Sequence, residues 1–126
     1  MGDASDPKYQ LTSAPTLAGT TVVVGGRVAD NVATDMPGGV IRGFDVITGQ
    51  LRWAFDPGNP EQKQAPEGDK TYTRSTPNVW APMSYDSHSN TVSMPTGSAA
   101  VDLWGVQHND LDRQFGASRV AGDRAR

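Results

Sequence analysis

The chain's apolar positions come in short bursts separated by turn residues, with no sustained helical period. Residues 20–28, TTVVVGGRV, are β-branched and closed by glycines, the make-up of a buried strand. Residues 30–39 are polar and glycine-rich, a loop. VIRGFDVI, residues 40–47, reads as a strand, Thr48 and Gly49 make a tight turn, and QLRWAFD, residues 50–56, returns antiparallel. Residues 57–78 are polar with four prolines, a surface excursion of a length that is uncommon inside a compact domain and often functional. VWAPMSYD (79–86) and NTVSMPTG (90–97) flank a polar turn and predict a second hairpin. A short helical turn is expected around residues 108–114. Residues 1–15 read as a poorly ordered lead-in and 119–126 as a frayed basic tail, leaving 16–118 as the folded part.

Composition sharpens this to an all-β class. Gly 14 and Pro 9 among 126 residues, with 36% hydrophobic residues, describe a turn-rich chain and not a helix bundle. Both hairpins place an aromatic-Asp pair before the turn, in GFDVITG and SYDSHSN. An aspartate there accepts hydrogen bonds from turn amides. Such repetition suggests four-stranded blades of a β-propeller, although blades of roughly 40–50 residues make this chain too short for a whole ring.

Charge and motifs exclude several functions. The net charge of -3 offers no basic surface for nucleic acid. The absence of cysteine rules out disulfides, thiolate metal sites and Cys nucleophiles. No apolar run approaches the ~20 residues of a membrane helix, and MGDASDPKYQ has no secretory-signal pattern. Phosphate-loop, GxSxG and HExxH patterns are missing.

GFDVITGQLRW, with Gly43, Asp45, Gly49 and Trp53 at fixed spacing, resembles the tryptophan docking motif of the quinoprotein alcohol and glucose dehydrogenases, whose eight-bladed propellers bind pyrroloquinoline quinone (PQQ). The resemblance implies that a small residue lets a neighbouring blade's Trp lie flat, that Asp45 holds the turn, and that Trp53 reaches the next blade. Gly43 stands where Ala is usual. GGRVADNVATDMPGGVIRGFDVITGQLRWAFDPG, YTRSTPNVWAPMSYD and MPTGSAAVDLWGVQHNDLDRQFGAS look most like the membrane-bound glucose-oxidising branch of that family. The implied fold is about two blades of an eight-bladed propeller. Ala121-x-Asp123 opens like another docking motif, without its turn glycine and Trp.

The resemblance assigns candidate residues. Trp80 would form the floor under the PQQ ring, and Asn78, two residues earlier, would face the cofactor edge; read without the resemblance, Trp80 is a core residue between sheets. Asp30 and Asn31 in VADN would ligate the Ca²⁺ or Mg²⁺ that polarises the quinone, although such a pair also simply begins turns. Thr96 in MPTG is a weaker candidate for the same ion. Arg27 precedes that site, where it would either meet a PQQ carboxylate or, the plainer reading, be solvated; His88 reads as an exposed turn residue, Asp102, Asp110 and Asp112 as a solvated loop, and His108 carries no assignment. The family's proton-abstracting Asp lies in a segment this chain does not contain.

The implied activity is oxidation of glucose or a related aldose to the lactone, with electrons passing to ubiquinone at the periplasmic face of the inner membrane, and with membrane contact made only by other parts of the parent enzyme. Two other readings stand beside it: a quinate or polyol dehydrogenase of the same superfamily, and a non-catalytic propeller module that binds a protein partner.

Overall fold

The computed structural model describes residues 8–123. Its centre is a four-stranded antiparallel sheet in the order β2 (Thr16–Ala18), β3 (Thr21–Val24), β5 (Ile41–Asp45), β6 (Leu51–Phe55). A three-stranded sheet follows, β7 (Ser84–Asp86), β8 (Thr91–Pro95) and β9 (Arg119–Asp123). A two-stranded pair joins β1 (Tyr9–Gln10) to β4 (Arg27–Val28). These antiparallel sheets make the chain all-β, as expected. The predicted strand at residues 20–28 breaks at Gly25 and Gly26, so that Val24 ends one sheet and Arg27 begins another.

The GFDVITGQLRW hairpin forms as read. Gly49 takes a φ of 70°, open only to residues that tolerate the left-handed region. Asp45 Oδ1 accepts from the amides of Ile47 (2.9 Å) and Thr48 (2.8 Å), and its other oxygen pairs with Arg52. The docking motif is resolved differently from the expectation. Gly43 pairs in register with Trp53 of its own hairpin, and a Cβ on Gly43 would stand 2.3 Å from the Trp53 Cε2. The small residue therefore makes room for the indole of the same hairpin. Trp53 does reach toward the second sheet, bordering a groove with Met94, Val120 and Gly122.

Three further expectations are corrected. The lead-in is ordered at Tyr9, which is 7% exposed and packs with Val28 and Met36; residues 1–7 lie outside the described part. The tail does not fray at residues 119–123, which pair with β8 along its whole length. Residues 79–83 are not strand, because Pro82 has no amide to donate to a ladder and Val79 is pressed against Gly25. The helical turn is α1, Asp110–Phe115, opened by a capping box between Asn109 and Asp112. Phe115 meets Phe55 edge-on at 5.4 Å, docking α1 on the first sheet. The core joins both sheets through Ala18, Val23, Ile41, Val79, Met83, Val92 and Met94.

Candidate functional site

Antiparallel pairing of Ile41 with Phe55 puts the loop before β5 and the loop after β6 at one end of the first sheet. The first carries Asp30 and Asn31, the second ends at Asn78 and Trp80. Two close backbone approaches fix the second loop. A Cβ on Gly25 would meet the Val79 carbonyl at 2.6 Å, and one on Gly39 would meet the Pro77 carbonyl at 2.0 Å. Thr76 Oγ1 also accepts from the Gly39 amide at 2.9 Å.

Asn78 is 2% exposed. Its Nδ2 donates a long 3.4 Å bond to the Ser98 carbonyl, and its backbone carbonyl accepts from the Gly97 amide at 2.8 Å. Its Oδ1 is buried with no partner among the described residues, a costly state for an amide oxygen unless a donor reaches it. Trp80 is 54% exposed. The pyrrole edge of its indole lies beside Gly97, whose Cβ would stand 2.8 Å from Nε1. A large aromatic side chain is thus held against backbone with much of its surface open. That arrangement suits stacking of a flat conjugated ring; within the described residues Trp80 is not part of the core.

Asp30 is half-buried and Asn31 exposed. Their polar groups hold a neighbouring loop: the Asp30 carbonyl accepts from the Asp102 amide at 3.0 Å, Asn31 Oδ1 accepts from the Leu103 amide at 3.0 Å, and Asn31 Nδ2 donates to Asp30 Oδ1 at 3.4 Å. Residues 97–103 therefore touch Asn78 and Trp80 at one end and Asp30 and Asn31 at the other, linking the two candidate groups through one short segment. Asp30 offers the hard carboxylate oxygen a divalent cation prefers, while the Asn31 oxygen is already engaged. Among the described residues no three His, Asp or Glu side chains gather as a metal cage.

Thr96 lies at the end of β8, where its hydroxyl is hydrogen-bonded within the fold. Its hydroxyl bonds the carbonyls of Phe115 and Ser118 and accepts from the Ser118 amide at 3.1 Å. These bonds tie β8 to the end of α1 and occupy the hydroxyl proton and one of the two lone pairs. Arg27 is exposed and donates to Gln10 at 3.4 Å. His88 lies in the β7–β8 turn, where its backbone amide donates to Asp86. The role of Gly97 as the seat of Trp80 was not anticipated; the sequence signal for it is only a glycine after a Thr.

Residues 1–125 match the family described as "PQQ: Glucose/ethanol/alcohol dehydrogenase, beta-propeller domain". The chain belongs to the PQQ quinoprotein dehydrogenase family. It is 56% identical over 117 residues to the quinate/shikimate dehydrogenase (quinone) of Acinetobacter baylyi, covering 93% of this chain and 14% of that protein. It is 40% identical over 121 residues to the quinoprotein glucose dehydrogenase of Escherichia coli, covering 96% of this chain and 15% of that protein. The quinohemoprotein alcohol dehydrogenase of Comamonas testosteroni superposes with a TM-score of 0.59 at 24% identity, over 91% of this chain and 19% of that one, which shows the fold. The chain thus spans about one-seventh of the length of the curated relatives it matches. Family membership confirms the quinoprotein reading. The narrower assignment to glucose loses ground, since identity to the quinate/shikimate enzyme is the higher of the two.

Proposed function

We propose that this chain forms the floor of the PQQ site in a quinoprotein dehydrogenase that oxidises an alicyclic hydroxy acid of the quinate type. The observation that carries the cofactor role is Trp80, half exposed and backed by Gly97. The substrate class rests on the 56% identity to the quinate/shikimate enzyme against 40% to the glucose enzyme; glucose is the second reading.

Bound PQQ supplies the hydride acceptor. Trp80 would stack under its ring plane, and Asn78 would offer its unpartnered amide oxygen at the edge. Asp30 would contribute one oxygen to a Ca²⁺ or Mg²⁺ ion, with the other ligands and the proton-abstracting base coming from other parts of the enzyme. Electrons would pass to ubiquinone at the periplasmic face of the inner membrane, the family expectation carried over.

Fluorescence titration tests the cofactor role. PQQ should quench the tryptophan emission of this chain saturably, and Trp80→Ala should weaken binding about tenfold or more. Quenching that survives Trp80→Ala unchanged removes Trp80 from the site. Exchanging residues 8–123 into the Acinetobacter baylyi enzyme tests the substrate: quinate oxidation retained in the hybrid supports the reading, and a switch to glucose refutes it.

A further inference from the structure

The same loop end of the first sheet carries a second concavity that the cofactor role does not use. It is an open cleft of about 330 Å³, and Trp80 is not among its walls. Three cations, Arg42, Lys70 and Arg74, line it, and no carboxylate does, in a chain whose net charge is -3. Concentrating positive charge in one concave place raises the local concentration of anions.

The three cations differ in how far they are engaged. Arg74 is paired with Asp35, whose carbonyl also accepts from Nη2 at 3.2 Å. Arg42 stands over the Tyr72 ring, its Cζ 4.9 Å from the centroid, and makes one long hydrogen bond, 3.4 Å to the Val40 carbonyl. Lys70 makes no ion pair among the described residues. Arg42 is thus oriented by the ring with N–H groups still free, and a guanidinium fork matches the two oxygens of a carboxylate.

The walls are fixed before any ligand arrives. Asp56, 1% exposed, accepts from the amides of Gly58 (2.9 Å) and Thr73 (2.8 Å). Ser75 Oγ donates to the Thr34 carbonyl at 2.6 Å and accepts from the Met36 amide at 2.8 Å. Gly38 lies flush on the Thr73 carbonyl, where a Cβ would stand at 2.1 Å. Walls held this way cost little to order on binding. The half-buried Pro37 and Pro66 add an apolar side to the cationic one, with Tyr9 and Val40 buried behind it.

We propose that this cleft binds a small ring-bearing carboxylate, with its head on Arg42 and Lys70 and its ring against Pro37 and Pro66. The site stands on its own geometry and does not depend on the PQQ assignment.

Amide chemical shifts of the 126-residue chain, titrated with sodium quinate, uncharged myo-inositol and sodium phosphate, test it. Quinate should give saturable shifts grouped at residues 38–42 and 70–74, inositol none, and phosphate a weaker response at the same amides. Arg42→Gln should weaken quinate about tenfold. Lys70→Gln, on an exposed loop where folding is not at stake, should weaken it severalfold. Shifts scattered over the surface, an inositol response equal to that of quinate, phosphate binding as tightly as quinate, or both variants retaining full affinity would overturn the assignment. PQQ quenching of tryptophan fluorescence, measured in parallel, should be the same in Arg42→Gln as in the unaltered chain. Loss of quenching in that variant would merge the two sites and also overturn it, whereas an unaltered chain that binds quinate here and never responds to PQQ would sink the cofactor reading alone.

Discussion

The two main sheets are built on one register and buried on opposite faces. Thr21 pairs with Asp45 and Val23 with Gly43 in the first; Thr91 pairs with Asp123 and Ser93 with Ala121 in the second. Position for position, β3 corresponds to β8 and β5 to β9. Yet Thr21, Val23 and Gly43 are buried, while Thr91 and Ser93 are half-buried and Ala121 is exposed. The second sheet instead buries the alternate positions, Val92 and Met94, in the same core as Val23 and Ile41. Because strand side chains alternate between faces, a sheet stacked between two others needs two apolar sets, one for each neighbour. The first sheet shows its face toward the second, and the second shows the opposite face toward the first. Stacking of this kind carries a β-propeller from one blade to the next, and it explains why one repeat places Val where the other places Ser.

The comparison is broken most severely at Gly43 and Ala121. A side chain on Gly43 must displace the Trp53 indole, 2.3 Å from the Cβ position, so Gly43→Val should cost about 3 kcal/mol in urea unfolding. Ala121→Val, exposed at the matching position, should stay within about 0.5 kcal/mol. Equal losses would mean that the two faces are not inequivalent. The next pair down is Val23 and Ser93. Val23→Ala removes two buried methyl groups and should cost about 2 kcal/mol, whereas Ser93→Ala should fall within about 0.5 kcal/mol.

The parts of this architecture that were legible from sequence are local. The β5–β6 hairpin announces itself because Asp45, Gly49 and the flanking strands act within one turn. The helical turn at Asp110–Phe115 is visible for the same reason, through its capping pair. What escaped depends on distant partners. Tyr9–Gln10 and Arg119–Asp123 are too polar or too short to declare themselves as strands, and order comes from β4 and β8. Residues 79–83 carry apolar residues that suit a strand, but proline and the contact of Val79 with Gly25 divert them. At the candidate site, Trp80 and Asp30 were reached through family resemblance. The structure added what spacing could not contain: Gly97 under the indole, the loop joining Asn78 to Asn31, and the hydrogen bonds of Thr96 to the end of α1. The cationic cleft draws on Arg42, Lys70 and Arg74, from a strand and a loop, with no motif to betray it.

The smallest expected difference lies in the two turn aspartates. The amides of Thr48 and Ile47 and the Arg52 guanidinium hold the Asp45 carboxyl down from its ordinary 3.8 to about 2. Asp86 is lowered too, first by the Ser89 hydroxyl and then by the His88 amide, with no cation beside it in the manner of Arg52. A carboxyl whose folded pKa lies below its unfolded one gives stability that is fully present above the unfolded value and is lost as pH falls through the folded value. Asp45 should therefore support the first sheet at neutral pH and release that support between about pH 4 and pH 2. Thermal melts of Asp45→Ala should show a lower midpoint than the unaltered chain at pH 7, with the gap closing as pH approaches 2. Asp86→Ala should show a gap of the same sign that also closes as pH falls below the ordinary carboxylate range. Raising salt should shrink the Asp45 gap more, because part of it is an exposed ion pair with Arg52 that counterions screen. A gap for Asp45→Ala that is unchanged from pH 7 to pH 2 would show that the turn is held by Gly49 and strand pairing alone, and that the carboxylate adds nothing.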